Sequence, residues 1–119
     1  MKSVDIYFNR KYNPKNYNCA HLVAEVWKDL TGQDISETIS GALTNLANRD
    51  INKIDRTKFR KIDTLQDPCI VLLWSSKRLP HCGIYLRERF LHITPQGVKF
   101  QLPEIALFGY AMRRFYICR

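Results

Sequence analysis

The hydrophobic residues of this chain follow one spacing in its first half and another in its second half. Between Cys19 and Leu30 they recur every three or four residues, which is the spacing of one face of a helix. Beyond Asp63, β-branched and aromatic residues form short runs separated by Ser, Pro, Gly and charged residues, as in strands. Helices that precede a set of strands predict an α+β domain, with the first helix packed on one face of an antiparallel sheet.

The pattern predicts two helices and about five strands. Asn18 is a favourable N-cap for the first helix, and Gly32 lies just beyond its end. A second helix is expected from Ser36 to Ala47, where Asp34 and Glu37 fit a capping box. The expected strands are Cys69–Trp74, His81–Leu86, Phe90–Thr94, Val98–Leu102 and Met112–Cys118.

Chain length and the length of the apolar runs set limits on organisation. A chain of 119 residues with no internal repeat or linker fits one domain spanning residues 1–119. The longest apolar run, Cys69 to Trp74, is far shorter than the ~20 residues that a membrane-spanning helix needs. The first residues lack the apolar core and cleavage site of a secretory signal peptide. We therefore expect cytoplasmic synthesis, with a carrier if the target lies outside the cytoplasm.

The charge balance favours an anionic partner. Nineteen Lys and Arg against 11 Asp and Glu give a net charge of +8, which suits nucleic acid, a cell-wall polymer or an acidic protein surface. No recognisable nucleic-acid module is present, so nucleic acid is the least favoured of the three. The segment 49–63 is charged and weakly periodic; its basic residues indicate a solvated face, or a contact with an anionic polymer.

Cys19 is the strongest candidate for a nucleophile among four cysteines. None of the four has the paired spacing of a zinc ribbon or a disulfide framework, so all are expected to be free thiols. Cys69, Cys82 and Cys118 lie in apolar strands and are expected in the core. Cys19 directly follows a helix cap, where the positive end of the helix dipole stabilises a thiolate. The alternative is that Cys19 is a small buried apolar residue.

Three histidines are available as the base that a nucleophilic cysteine needs. His21 is two helical positions from Cys19 and therefore leaves the helix on another face. His81 opens one predicted strand, and His92 lies 11 residues later on the next strand, a spacing that suits neighbours across a hairpin. A Cys-His-His triad follows, in which His81 accepts the thiol proton and His92 orients its ring. A zinc site of the same three residues is the alternative; no cofactor is otherwise expected.

Two separated motifs resemble the NlpC-type cell-wall cysteine peptidases, a branch of the papain-like superfamily. One is Asn18-Cys19-Ala20-His21-Leu22-Val23, with Tyr7 twelve positions earlier; the other is His81-Cys82-Gly83-Ile84-Tyr85-Leu86, followed by Phe90-Leu91-His92. The resemblance implies a papain-like fold with Cys19 as nucleophile, His81 as base and His92 as orienting residue. It also implies that Tyr7 lies beside the cysteine, so Tyr7 and Asn18 are the candidates for positioning the substrate or its oxyanion.

The family resemblance further implies cleavage of the peptidoglycan stem peptide after D-glutamate, through a thioester. A phage or prophage tail, or a secretion apparatus, would deliver such an enzyme to the wall. Two alternatives stay open: a catalytically idle structural or adaptor component of a tail, and an amidase or acyltransferase that acts on another substrate. This chain departs from the family pattern in having Asn18 for aspartate, Ala20-His21 for serine-glycine, Arg10-Lys11 for a glycine pair and Cys82 for valine. We expect His21 to narrow the groove beside the nucleophile.

Overall fold

Helices come first along the chain and strands follow, as the two hydrophobic spacings predict. The computed structural model describes residues 3–47, 59–76 and 78–118. Within them, a 3-10 turn at Val4–Tyr7 precedes helices α1 (Cys19–Thr31) and α2 (Ser36–Ala47). The strands are β1 (Phe59–Ile62), β2 (Cys69–Ser75), β3 (Arg78–Leu86), β4 (Arg89–Thr94), β5 (Gly97–Gln101) and β6 (Met112–Cys118), with a short helix α3 (Pro103–Ala106) between β5 and β6. The predicted α+β class is confirmed.

The described strands form one antiparallel sheet in the order β1-β6-β2-β3-β4-β5. Strands β2 to β5 are a meander, whereas β6 returns to the free edge of β2 and β1 adds outside β6. The expected count of about five strands is wrong by one, because β1 was not predicted. This strand has only four residues, and the two central ones, Arg60 and Lys61, are exposed and charged. The strand is held in place by pairing with β6, where the ring centroids of Phe59 and Tyr116 lie 5.4 Å apart.

Helix α1 lies on one face of the sheet, as expected. Its apolar stripe, including Leu22, Val23 and Val26, is buried in a core with Ile84 of β3 and Leu91 of β4. Each such side chain contributes about 1.5–3 kcal/mol when it leaves water, so this contact fixes the position of the helix on the sheet. The N-terminus of α1 is therefore held against β3, the strand that carries His81.

The opposite face of the sheet is also covered. Cys69, Val71 and Leu73 of β2 are buried there with Phe90 and with Leu107, which follows α3. Because both faces of β2 are covered, the strand is apolar at successive positions and does not alternate. The chain around α3 thus forms a second layer, and it ends beside the start of β3.

Gly83 allows β3 and β4 to approach closely next to the candidate site. A Cβ at this position would lie 2.4 Å from Cζ of Phe90 and 2.7 Å from the backbone oxygen of Leu91. Only glycine therefore fits without displacing β4. The close approach brings the strand of His92 against the strand of His81.

Other expectations concern the membrane and the basic residues. None of the described helices is long and apolar enough to cross a bilayer. Arg60 and Lys61 are exposed, which agrees with the expected solvated face for the part of the basic segment that the structure describes. The remaining basic residues of that segment, Arg49, Lys53, Arg56 and Lys58, lie outside the described residues.

Candidate active site

The first turn of α1 is closed by a capping box that uses a histidine. The Asn18 Oδ1 accepts from the Ala20 N–H at 3.0 Å, and its side chain also caps the His21 backbone N–H. In return, His21 Nδ1 accepts from the Asn18 N–H at 3.0 Å. The Asn18 Nδ2 donates to the Pro14 carbonyl at 3.1 Å, a bond that an aspartate could not make. Asn18 is therefore used in placing Cys19, and its side-chain polar atoms do not face the substrate.

Cys19 lies half-buried at this helix start and receives hydrogen bonds from β3. The Cys82 thiol is its strongest partner, and the His81 ring and the Cys82 backbone N–H also contact the sulfur. These interactions overcome partial burial and lower the pKa of Cys19 to about 4, with the Cys82 hydrogen bond as the largest cause. Cys82 is fully buried, and burial raises the pKa of its thiol well above the usual range. Cys82 thus remains a protonated donor while Cys19 carries the negative charge.

A series of hydrogen bonds runs from His81 into the sheet. His92 Nε2 donates to Gln101 Oε1 at 2.8 Å, which leaves His92 Nδ1 as an acceptor. His81 Nε2 then donates to His92 Nδ1 at 2.8 Å. With Nε2 used in this way, Nδ1 is the His81 nitrogen that faces Cys19. The series therefore fixes the tautomer that can exchange a proton with the sulfur.

His92 is suited to orienting its neighbour and not to carrying charge itself. Its side chain is only 5% exposed, and burial is the main cause that lowers its pKa to about 4. A neutral ring at physiological pH keeps Nδ1 available as the acceptor for His81. Both ring nitrogens of His92 are engaged, so neither is left to bind a metal ion. Consistent with this, no cluster of three or more metal-ligating side chains is found within the described residues.

Aromatic rings hold the His81 imidazole in place. Tyr110 stacks on it with centroids 6.1 Å apart and 13° between the planes, and Phe90 meets its edge at 6.4 Å. A ring that is packed on one face and at one edge loses rotational freedom. Packing and hydrogen bonding therefore favour the same orientation of the His81 ring.

The sulfur and the base face an open pocket with a volume of about 610 Å³. Its polar lining includes Cys19, Arg78, His81, His92 and Gln101, and Tyr12 lines it as well. Exposed apolar side chains also line it: Leu79 is 84% exposed, Phe108 81% and Ile105 59%. An extended substrate can thus reach the sulfur from outside.

Of the predicted site residues, Cys19, His81 and His92 are brought together and Tyr7 is not. The Tyr7 hydroxyl donates to Oδ2 of Asp29 at 2.6 Å, near the C-terminal end of α1. Asp29 lies ten positions after Cys19 in the helix, which is about 15 Å along the axis. Burial and Asp29 raise the Tyr7 pKa, so the phenol stays protonated and buttresses the helix. Tyr12, five residues later, lines the pocket instead, as does Tyr110.

The expectation that His21 narrows the catalytic groove is also wrong. His21 stacks on Tyr17 with centroids 6.1 Å apart and lines a different hollow, formed by α1 and the start of α2. The geometric exclusion of His21 as the base agrees with its capping role. Helix geometry decides this outcome, because positions 19 and 21 are two residues apart, about 200° around the axis, and point in different directions.

Arg10, which stands where the family has glycine, supports the approach to Cys19. Its guanidinium makes two hydrogen bonds to the Glu25 carboxylate, at 3.0 Å from Nε and 2.6 Å from Nη2. The Tyr17 hydroxyl donates to the same carboxylate. The hydrogen bonds from Arg10 and Tyr17 lower the pKa of Glu25, and the Arg10 hydrogen bond is the largest cause. The loop before α1 is therefore tied to the middle of the helix.

Four residues of the site were not assigned to it from sequence: Tyr12, Cys82, Gln101 and Tyr110. Cys82 was expected in the core, and it is there, but it also makes a hydrogen bond to Cys19. Gln101 is a polar residue at the end of a predicted strand, and only the pairing of β4 with β5 shows that it faces His92. No local motif marks Tyr12 or Tyr110.

Comparisons with models of protein families, with curated proteins and with solved structures find no match. The geometry of the site and the two sequence motifs are therefore the basis for assigning a function.

Proposed function

We propose that this protein is a papain-like cysteine hydrolase of the NlpC type, which cleaves the peptidoglycan stem peptide after D-glutamate. The observation that carries the proposal is the hydrogen-bonded series from Cys19 through His81 and His92 to Gln101, at an open pocket. A nucleophile, a base and an orienting group in this order are what acyl transfer to a thiol requires. A cysteine at a helix start, packed on an antiparallel sheet that carries the histidine, supports the papain-like assignment.

In the first step, the Cys19 thiolate attacks the carbonyl carbon of the scissile amide. The negative charge moves to the carbonyl oxygen, and the Cys19 backbone N–H at the start of α1 is placed to stabilise it. His81 then gives the proton on Nδ1 to the leaving nitrogen, the C–N bond breaks and a thioester remains on Cys19. His92 accepts from His81 Nε2 throughout and keeps the ring in the productive orientation.

In the second step, water replaces the leaving amine. His81 Nδ1 accepts a proton from the water as its oxygen attacks the thioester carbon. The C–S bond breaks, the carboxylic acid product leaves and the Cys19 thiolate is restored. Because Cys82 donates to this thiolate, it lowers the pKa of the leaving sulfur and favours its departure.

The bond and the polymer come from the family resemblance, and the charge of the chain supports an anionic target. The site itself has no acidic side chain among the described residues that line it, so it would not repel a carboxylate-rich peptide. We infer that a phage or prophage particle or a secretion apparatus carries the enzyme to the wall.

A second candidate is an amidase or acyltransferase of the same superfamily, acting on a more apolar substrate. The exposed apolar side chains that line the pocket, Leu79, Phe108 and Ile105, favour this alternative. Identification of the products separates the two, because an acyltransferase moves the acyl group to an acceptor other than water. The idle structural alternative predicts an unreactive Cys19, contrary to the hydrogen bonds that stabilise its thiolate.

Mass spectrometry of digested peptidoglycan tests the proposed activity. We expect the wild-type protein to release fragments cut after D-glutamate, and Cys19→Ala to lower the rate by at least about a thousandfold, because the thioester cannot form. Cys69→Ala is the matched control, since Cys69 is buried on the other face of the sheet and its loss should leave cleavage intact. Equal cleavage by the wild type and by a folded Cys19→Ala protein would refute the proposal.

A further inference from the structure

Arg78 gives the candidate pocket a fixed positive charge. It is the only Lys, Arg, Asp or Glu among the described residues that line the pocket of Cys19. Arg78 opens β3, three positions before His81, so its side chain is attached to the same strand as the base. A charge at this place acts directly on any substrate that reaches the sulfur.

Two neighbours hold the guanidinium in place. Its Cζ lies 4.9 Å from the centroid of the Tyr110 ring, within the range of a cation–π contact. At Gly109, where φ is +89°, a Cβ would lie 2.9 Å from Cζ and Nη2 of Arg78, so the backbone approaches as closely as only glycine allows. Tyr110 also stacks on His81, so one ring contacts both the cation and the base.

No acidic side chain in the part of the chain that the structure describes neutralises the guanidinium. Within residues 3–47, 59–76 and 78–118, the ion pair is that of Arg10 with Glu25, and no Asp or Glu pairs with Arg78. Arg78 is exposed, and next to it stand the apolar side chains of Leu79 and Phe108. An oriented, unpaired guanidinium beside apolar groups is suited to bind an anion, because its planar donors match the two oxygens of a carboxylate.

We propose that Arg78 binds a carboxylate of the substrate, close to the carbonyl that Cys19 attacks. The proposal rests on the proposed function in that it takes Cys19 as the reactive nucleophile of this pocket. With Arg78 in this role, the pocket prefers acyl substrates that carry a free carboxylate near the scissile bond over the corresponding amides. Stem peptides with free α-carboxylates fit this class, and amidated stem peptides do not.

Two small alkylating reagents test the subsite without any peptidoglycan. Iodoacetate and iodoacetamide attack the same thiolate and differ in having a carboxylate or a carboxamide. The quantity to measure is the rate constant with iodoacetate divided by the rate constant with iodoacetamide at Cys19, read by peptide mass spectrometry. A change in the pKa of the sulfur affects both rate constants equally and therefore leaves this ratio unchanged. We expect Arg78→Gln to lower this ratio roughly threefold, a size typical of an exposed ion pair, and added salt to reduce the wild-type ratio. Arg78→Lys, which keeps the charge but loses the planar donors, should retain part of the preference.

Arg60→Gln is the matched control, since Arg60 is an exposed arginine on the edge strand β1 and its loss changes the net charge equally. An unchanged ratio in Arg78→Gln, or an equal fall in Arg60→Gln, would overturn the subsite.

The hydrolase proposal and the subsite proposal can be refuted independently of each other. A lowered ratio in Arg78→Gln together with intact peptidoglycan keeps the subsite and rejects the wall substrate. Wall cleavage with an unchanged ratio keeps the hydrolase and rejects the subsite.

Discussion

Cys19 and Cys82 have the same side chain and opposite protonation states, and their surroundings explain the difference. Cys19 accepts hydrogen bonds at a helix start beside a histidine, whereas Cys82 is buried in the core with its thiol as a donor. The position of Cys19 directly after a helix cap could be predicted from sequence, and the structure confirms it. The role of Cys82 could not, because it depends on which residue the fold places next to it.

Replacement of Cys82 by valine, the residue that the family pattern has here, removes the thiol donor and keeps an apolar side chain. We expect Cys82→Val to raise the Cys19 pKa above its value of about 4, because the largest stabilising interaction of the thiolate is lost. Alkylation of Cys19 by iodoacetamide at pH 5 should then fall at least about tenfold. Cys69→Val, on the opposite face of the sheet, should leave the rate unchanged. An unaltered rate in Cys82→Val would show that the thiol does not support the nucleophile.

At the scale of elements, a helix or strand could be predicted from sequence when its pattern was long enough and lay within one continuous segment. Helices α1 and α2 have enough periodic residues to be recognised, and strands β2 to β6 are recognised as runs of β-branched and aromatic residues between turn residues. Strand β1 was missed because its four residues are ordered by a partner far away in sequence. Gln101 illustrates the same limit within the site: it lies in a predicted strand, but its contact with His92 follows from the register of β4 and β5.

Gly83 sets the distance between the two strands that carry the histidines. We expect Gly83→Ala to lower the free energy of unfolding by about 1–3 kcal/mol, because the methyl group would overlap Phe90 and the Leu91 carbonyl. Gly41→Ala is the control: in helix α2 nothing lies within 4 Å of the added Cβ, and alanine should raise stability by roughly 0.5–1 kcal/mol. Urea unfolding measures both. Equal effects of the two substitutions would contradict the close approach at Gly83.

At the scale of the whole molecule, the site exists only because two halves of the chain meet. Cys19 belongs to the first helix, and His81 lies more than sixty residues later in the sheet. The resemblance of two motifs predicted that they meet, and the buried contact of α1 with β3 and β4 explains how. Tyr7 shows what the motifs alone could not decide, since its hydroxyl is bound to Asp29 at the other end of α1.

The pH dependence of Cys19 alkylation in the folded and unfolded protein tests the central claim, that folding creates a thiolate at the head of α1. In the native protein, the rate with iodoacetamide should stay high down to a midpoint at about pH 4, because hydrogen bonds from Cys82 and His81 stabilise the thiolate. In urea those donors are lost, and the midpoint should rise to about 8.5, the value of a free cysteine. A native midpoint that is the same as the unfolded one would contradict the claim.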